Sequence, residues 1–478
     1  MASHLSELRS LQSTLNQAID AFAEALNEQK LPDLSSVALE PHPLDDIDFL
    51  PSVSLFTARR EALGQINLAF LAPFTETFLK YDVTACIGQL RALLQSPYQK
   101  VVEQSCAVYD TACLDIFVQA GLVDELAKPE FLKVGRSVEQ LHEALDLSPT
   151  RITVVLRYLA AQGWLRETTE NTFALNRPAS QLRQGSAGRT WSMTPGKPKV
   201  AGSLLDFMTK PEWKYAESPA KTAFQLSHQT SDTLFQYLSR SPAQFQQWSS
   251  SVRTYGDACH GALMEDYPWD RLTSKTIVDC GAGLGTLILS LAKLPCLSDC
   301  KFIAQDLDQV VPNTGKTITA SCEELMSSGR VVVEAHDFFT PQVHGAGAVV
   351  ILKHILHNWP DHDCIRILKS ATTHANRETK LLIIDNVVVP STVSRPSVYT
   401  HAEEVPNGTP NLFPNYVPRN YGAASKASLA LGVHMMSVFN AHERTLSQWE
   451  SIAERSGLRI DKMYHVRAPD SVMECSIL

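Results

Sequence analysis

Beyond residue 270 the chain repeats one pattern: a short apolar run, a turn-forming stretch, then a helical segment. The runs are Thr276-Ile277-Val278, Phe302-Ile303-Ala304, Val331-Val332-Val333, Val349-Val350-Ile351-Leu352 and Leu381-Leu382-Ile383-Ile384. A strand that is apolar at every position has no face to offer water, so both of its faces must be covered. The segments between the runs are long enough to form the covering helices. The pattern predicts a doubly wound, mostly parallel α/β sheet, uninterrupted by repeats or low-complexity tracts. Ligands in such sheets settle outside the carboxyl ends of the strands, so residues there are the first candidates for chemistry.

At 478 residues the chain exceeds what one core usually serves. Residues 1–95 read as an N-terminal helical segment. Leu5, Leu8, Leu11, Leu15, Ile19, Phe22 and Leu26 recur at helical spacing, and a proline-rich connector covers 31–52. Residues 96–185 read as a compact unit: an apolar helix near Ala107 to Ala120, a short helix from Ser137, and a third after Ser148-Pro149. A hairpin then joins 164–167 to 172–175. Helix, helix, helix, hairpin is the order of a winged helix. The helix before the wing carries only Arg151 and Arg157 among apolar residues, which favours packing or dimerisation over DNA binding. Residues 186–478 hold the sheet, entered through a Gly- and Pro-rich linker at 181–220.

A net charge of -9 and a pI near 5.9 argue against a nucleic-acid partner. The start lacks a basic and apolar leader, and no run of about eighteen apolar residues occurs, so no membrane span and a cytoplasmic location are expected. The ten cysteines form no CxxC pair, and no metal site is expected.

The first apolar run leads into Val278-Asp279-Cys280-Gly281-Ala282-Gly283-Leu284-Gly285 and then a helical stretch, Leu287 to Leu294. Glycines let the backbone approach a ligand, and Asp306, closing the next run about twenty residues on, can accept both hydroxyls of a ribose. An acid before the first glycine gives DxGxGxG. That form favours S-adenosylmethionine over NAD, because Asp279 faces a cationic methionine moiety where a pyrophosphate would be repelled. Asp337-Phe338, after the third run, offers a carboxylate and a ring to an adenine; a strand-terminal turn is the plainer reading.

The fourth run ends in Lys353-His354-Ile355-Leu356-His357-Asn358-Trp359-Pro360-Asp361. A helical turn here would place Lys353 and His357 on one face. His357 titrates near neutrality and can take a proton from a phenol or enol; capping local backbone is its other reading. Asp385, closing the fifth run, and Glu443, in Asn440-Ala441-His442-Glu443-Arg444-Thr445, are each able to hold the other ring N–H.

With these motifs assembled, residues 100–478 resemble the plant caffeic-acid-type and fungal class of S-adenosylmethionine-dependent O-methyltransferases. The resemblance implies a Rossmann-like methyltransferase domain over 186–478, preceded by a winged-helix-like homodimerisation domain. It assigns cofactor contacts to Asp279, Gly281, Gly283, Gly285, Asp306, Asp337, Phe338 and Lys353. It assigns the general base to His357, and orientation of that base to Asp385 and Glu443. The implied activity is methyl transfer to a hydroxyl of an aromatic or polyketide-type small molecule. The family also includes fungal pericyclases, in which Lys353, His354 and His357 would donate hydrogen bonds during dehydration or cyclisation. Asn358 for the common Asp, Ala282 for a common Gly, and His434 where relatives often show an acid depart from the pattern. Residues 390–425 read as either a lid or a solvated insertion. Phe207, Met208, Trp213, Met435, Met436 and Phe439 are candidates for the pocket wall or for the core.

Overall fold

The computed structural model describes residues 96–193, 197–388 and 423–478, with residue 390 and scattered positions among the first 52, of which 22–32 is the longest run. The segment 390–425 therefore lies outside the described residues for most of its length, as does most of 1–95.

The amino-terminal unit follows the expected order. Helix α1 (Val108–Gln119) leads to α2 (Val138–Leu145) and α3 (Pro149–Ala161), and the hairpin of β2 (Leu165–Thr169) and β3 (Thr172–Leu175) comes after them. A short strand that the sequence did not suggest, β1 (Arg136–Ser137), pairs with β3. Ser137 caps α2 through a reciprocal bond with Gln140, satisfying two helix-end groups at once. Phe117, Leu141, Ile152, Leu156, Leu159 and Phe173 make one core, each such side chain worth roughly 1.5–3 kcal/mol when withdrawn from water. Arg157 is bound to Glu167 at 3.0 Å.

Where a linker is expected, 181–220 instead contains short helices at Ala187–Ser192, Lys197–Ala201 and Leu204–Thr209. Their glycines and prolines sit at helix ends, as in Lys197–Ala201 with Pro198 in its first turn. Helix α4 (Pro242–Asp266) then runs across the sheet domain.

All five apolar runs are strands: β4 (Thr276–Cys280), β5 (Lys301–Asp306), β6 (Val331–Ala335), β7 (Val349–Lys353) and β8 (Lys380–Val388). They lie parallel in the order β8-β7-β4-β5-β6. The order reverses at β4, whose neighbours are β5 and β7. Alternate residues serve opposite layers. Ile277, Phe302, Ile351 and Ile384 meet α4, α5 (Thr286–Leu291) and α6 (Val311–Ser321) on one face. Val278, Ile303, Val350 and Ile383 meet α7 (Asp361–Ala371) and, further along, α9 (Leu446–Arg455) on the other.

Helix α8 (Ala423–Phe439) precedes a two-residue strand, β9 (Arg444–Thr445), which pairs with the end of β8. The sheet finishes with an antiparallel hairpin, β10 (Leu458–His465) and β11 (Asp470–Ile477), with β11 alongside β8. Asp385 thus lies inside β8, three residues before its end at Val388, rather than closing it.

Among the pocket candidates, Phe207, Met435 and Phe439 are core residues of a cluster joining α8 to the short helices, with Trp213 and Met436 packed against it. Met208 is exposed. Among the described residues no helix is long and apolar enough to cross a membrane.

Candidate active site

The glycine turn between β4 and α5 bends left-handed at each of its glycines: φ is 80° at Gly281, 54° at Gly283 and 76° at Gly285. They serve different ends. A Cβ on Gly281 would come within 2.4 Å of Ile355, and one on Gly285 within 2.7 Å of Ile318, so these two allow close packing beneath the turn. A Cβ on Gly283 would meet nothing within 4 Å; this glycine faces open space.

Asp306 ends β5 and fastens the turn, accepting from the Gly283 N–H at 2.8 Å and the Leu307 N–H at 2.8 Å through different oxygens. Each oxygen keeps a lone pair for a ligand hydroxyl. Burial pushes the Asp306 carboxyl up, against the pull of those two N–H groups. Asp279 is buried on β4, and among the described residues nothing hydrogen-bonds its carboxylate. Burial pushes it up to about 7, opposed by the Lys353 ammonium. Phe338 lies over Gly281, 4.0 Å from where its Cβ would sit, and is held by Phe339 and Trp359. Asp337 is exposed, its carboxylate accepting from the Phe339 N–H at 2.9 Å.

Past β7 the chain does not continue into one helical turn. His354 adopts φ of 54°, and only Leu356–Asn358 form a 3-10 turn. Lys353 and His357 consequently diverge. The Lys353 amine reaches toward Gly256 of α4 and the ring of His354, whereas His357 turns toward β8 and β9. His354, not Lys353, is the stacking partner of His357, with ring centroids 5.5 Å apart.

His357 is 7% exposed. Its Nδ1 lies 2.8 Å from Glu443 and 3.8 Å from Asp385, while Nε2 has no hydrogen-bond partner among the described residues. The β8–β9 pairing explains how an acid 86 residues away arrives here. Burial pulls the imidazole down, but Asp385 and Glu443 outweigh it and the ring is pushed up to about 9. Burial pushes Asp385 up to about 8, with His357 lowering it and Glu443 raising it. Both Asp385 oxygens and one Glu443 oxygen are buried without a hydrogen-bond partner. Two acids and one base sealed together make a unit whose protons are shared rather than owned.

Sequence reasoning passed over three contributors. Arg444, fully buried, binds the carbonyls of Leu356 and Trp359 and pairs with Asp361 at 2.8 Å. The neighbouring Glu-Arg-Thr motif contained it, but only its acid was assigned a task. Asp470, on β11, bonds His354 at 2.9 Å. Tyr255 of α4 packs its ring against His354 and Trp191. Neither has a local sequence signal, because His354 lies more than ninety residues from each. His434 of α8 is pulled down to about 4 by burial, then by Lys197 and His357. Among the described residues no group of His, Cys, Asp and Glu is arranged to hold a metal ion.

Residues 214–405 match the family described as the O-methyltransferase domain. Among characterised proteins the chain is 25% identical over 448 residues to O-methyltransferase tpcA of Aspergillus fumigatus, covering 86% of this chain and 89% of that one. It is 27% identical over 389 residues to 3-O-methyltransferase 2 of Phanerochaete chrysosporium, covering 80% and 83%. Similar solved folds include LepI in complex with SAM, with TM-score 0.61 and 20% identity, covering 83% of this chain and 93% of that one. A structure described as a pericyclic reaction enzyme also has TM-score 0.61 and 20% identity, with coverage of 84% and 95%.

Proposed function

We propose, from the match of residues 214–405 to the O-methyltransferase domain family, that the protein transfers a methyl group from S-adenosylmethionine to a hydroxyl of an aromatic or polyketide-type small molecule. The observation that carries this reading is the buried His357, clamped to Glu443 through Nδ1 with Nε2 left free, at the carboxyl end of the strand beside the glycine turn.

The residues present fit the cofactor. Gly283 leaves a cradle that a side chain would fill. Asp306 retains acceptor capacity for ribose hydroxyls, and Asp279 is a buried carboxylate without a hydrogen-bond donor, suited to a cationic methionine group. Phe338 supplies an aromatic face, Asp337 an exposed carboxylate, and Lys353 a cation opposite Asp279. Bound there, the cofactor supplies an electrophilic methyl carbon on a sulfonium and leaves as a neutral thioether.

The protein's own part is proton handling. His357 Nε2 removes the acceptor's proton as the oxygen bonds to carbon, and Glu443 fixes the tautomer that leaves Nε2 free. Asp385, 3.8 Å away, stabilises the imidazolium that results. The same acids keep the resting ring protonated at neutral pH, so turnover favours alkaline conditions. Incubation with S-adenosylmethionine and a panel of phenols, followed by mass spectrometry, tests the reading. A product heavier by one methylene unit, diminished about 10²–10⁴-fold in His357→Ala, is expected. Absence of any such product, or indifference to the substitution, refutes it.

A second reading draws on that protonated ring. An imidazolium is a hydrogen-bond donor, so His357 would serve a dehydration or pericyclic cyclisation in which a carbonyl or leaving hydroxyl gains negative charge. A product of unchanged mass, or lighter by water, selects it.

Residues 96–185 are proposed as a winged-helix dimerisation unit of a homodimer, and 186–478 as the catalytic domain of a cytoplasmic enzyme. Support for dimerisation comes from exposed apolar residues on successive helices, among them Tyr98, Val101, Val108 and Tyr109.

A further inference from the structure

Beneath the reacting imidazole lies a second pairing of histidine with acid. His354 Nε2 is 2.9 Å from Asp470 Oδ1, and His354 Nδ1 is 3.3 Å from the Lys353 amine. An ammonium has no lone pair, so Nδ1 must be the acceptor and Nε2 the donor. Both contacts are satisfied together only by a neutral ring protonated at Nε2. His354 is thus the middle of a line running from the Asp470 carboxylate through an uncharged imidazole to the Lys353 ammonium.

The backbone shows that this arrangement is imposed. His354 has φ of 54°, a conformation that few non-glycine residues adopt, although asparagine, aspartate and histidine tolerate it better than most. Its N–H is held by the Ile384 carbonyl at 3.0 Å and its carbonyl by the Asn358 amide at 3.0 Å. On balance the surroundings favour a neutral ring, with Asp470 pulling the other way. Burial pulls His354 down, with Asp470 opposing and Lys353 reinforcing that pull. From α4, Tyr255 packs its ring on His354, Cys259 is a thiol pushed up by burial, and His260 is pulled down to about 3 by burial and by Lys353. Burial pushes Asp470 up, but the His354 hydrogen bond and the Lys353 ammonium hold it below the usual carboxylate range, and the charge of His354 adds to this only when that ring is protonated. Above the dyad is the His357 ring, stacked at 5.5 Å.

We propose that Asp470 and His354 form a positioning dyad that fixes the Lys353 ammonium at the cofactor site while presenting an uncharged surface to His357. Neither residue touches the reacting atoms; they act through Lys353 and His357. The inference rests on the methyl-transfer reading for the identity of the ligand, but the state of His354 is independent of it.

His354→Asn keeps a residue that tolerates the left-handed backbone while removing the ring. Calorimetric titration with S-adenosylhomocysteine is expected to show affinity falling about tenfold in His354→Asn and in Lys353→Met, and about as much, not a hundredfold, in the double variant. Multiplying losses would show that His354 does not act through Lys353. In wild type, ¹⁵N-imidazole spectra should show His354 neutral and protonated at Nε2 at pH 7, with any titration lying below its ordinary 6.5. Titration of that ring near 6.5, or a proton on Nδ1, overturns the proposal. Failure of wild-type protein to bind S-adenosylhomocysteine would instead refute the cofactor assignment and leave the spectra to decide the dyad.

Discussion

Replacing Asp385 by Asn separates the two acids that face His357. Asp385 Oδ1 stands 3.8 Å from Nδ1, and a full charge at that distance acts on an imidazolium by about 4 kcal/mol when the effective dielectric constant is near 20. Asp385 is itself pushed up to about 8 by burial, and is therefore about nine-tenths ionised where His357, at about 9, changes charge. Nearly the full interaction, about 4 kcal/mol, is removed, which corresponds to about three pKa units. The acid limb of the kcat/KM profile in wild type should lie near pH 9, and in Asp385→Asn it should move down by about that much. Since Glu443 still orients the ring, the alkaline plateau should fall less than about tenfold, and at pH 7 the variant should outpace wild type. The assay is initial rate against pH for one acceptor whose own hydroxyl titrates outside the range. An acid limb that does not move, or an equal loss at every pH, would refute the electrostatic role assigned to Asp385.

Other outcomes are equally specific. Gly283→Ala places a methyl in open space at φ of 54°; it should cost about 1 kcal/mol in thermal unfolding yet abolish S-adenosylhomocysteine binding by calorimetry. Gly281→Ala, whose Cβ meets Ile355 at 2.4 Å, should lower stability more. Arg444→Met removes a buried guanidinium from two carbonyls and Asp361, and should destabilise by about 3–5 kcal/mol in urea unfolding. His357 is held above its unfolded value of 6.5. Its stabilising contribution is thus complete below 6.5 and lost as pH rises through about 9. Asp385 is raised from 3.8 to about 8, so the stability it forfeits disappears as pH rises from about 3.8 and is fully lost by about 8. Melting temperature should fall across both windows, and the fall should flatten in Asp385→Asn.

The central strands were legible because each is apolar at consecutive positions and bounded by turn residues. The positions of Asp306 and Asp337 followed from where those runs stop. The carboxyl-terminal hairpin was not legible. Its strand β11 mixes Asp470, Ser471, Glu474 and Ser476 with apolar residues, and β10 carries a register shift between Ile460 and Lys462 that breaks alternation. Missing that hairpin meant missing Asp470, and with it the meaning of His354. The left-handed bend at His354 was equally hidden, since histidine tolerates that conformation better than most residues but seldom adopts it, and without the bend Lys353 and His357 were expected on one face. The helices at 187–209 were obscured by glycines and prolines that the structure places at their ends. Glu443 was identified by motif, but only the pairing of β9 with β8 explains its approach to the base.

Arg444 ties the 3-10 turn beneath His357 to the first residue of α7, and its guanidinium rests 5.1 Å from the Trp449 ring of α9. The imidazole is therefore mounted on a turn braced by two helices. Helix α8 meets the short helices between 197 and 239 through methionine, phenylalanine and leucine contacts. Substitutions in that cluster are expected to change which acceptors are taken, and those around 444 whether an accepted molecule reacts.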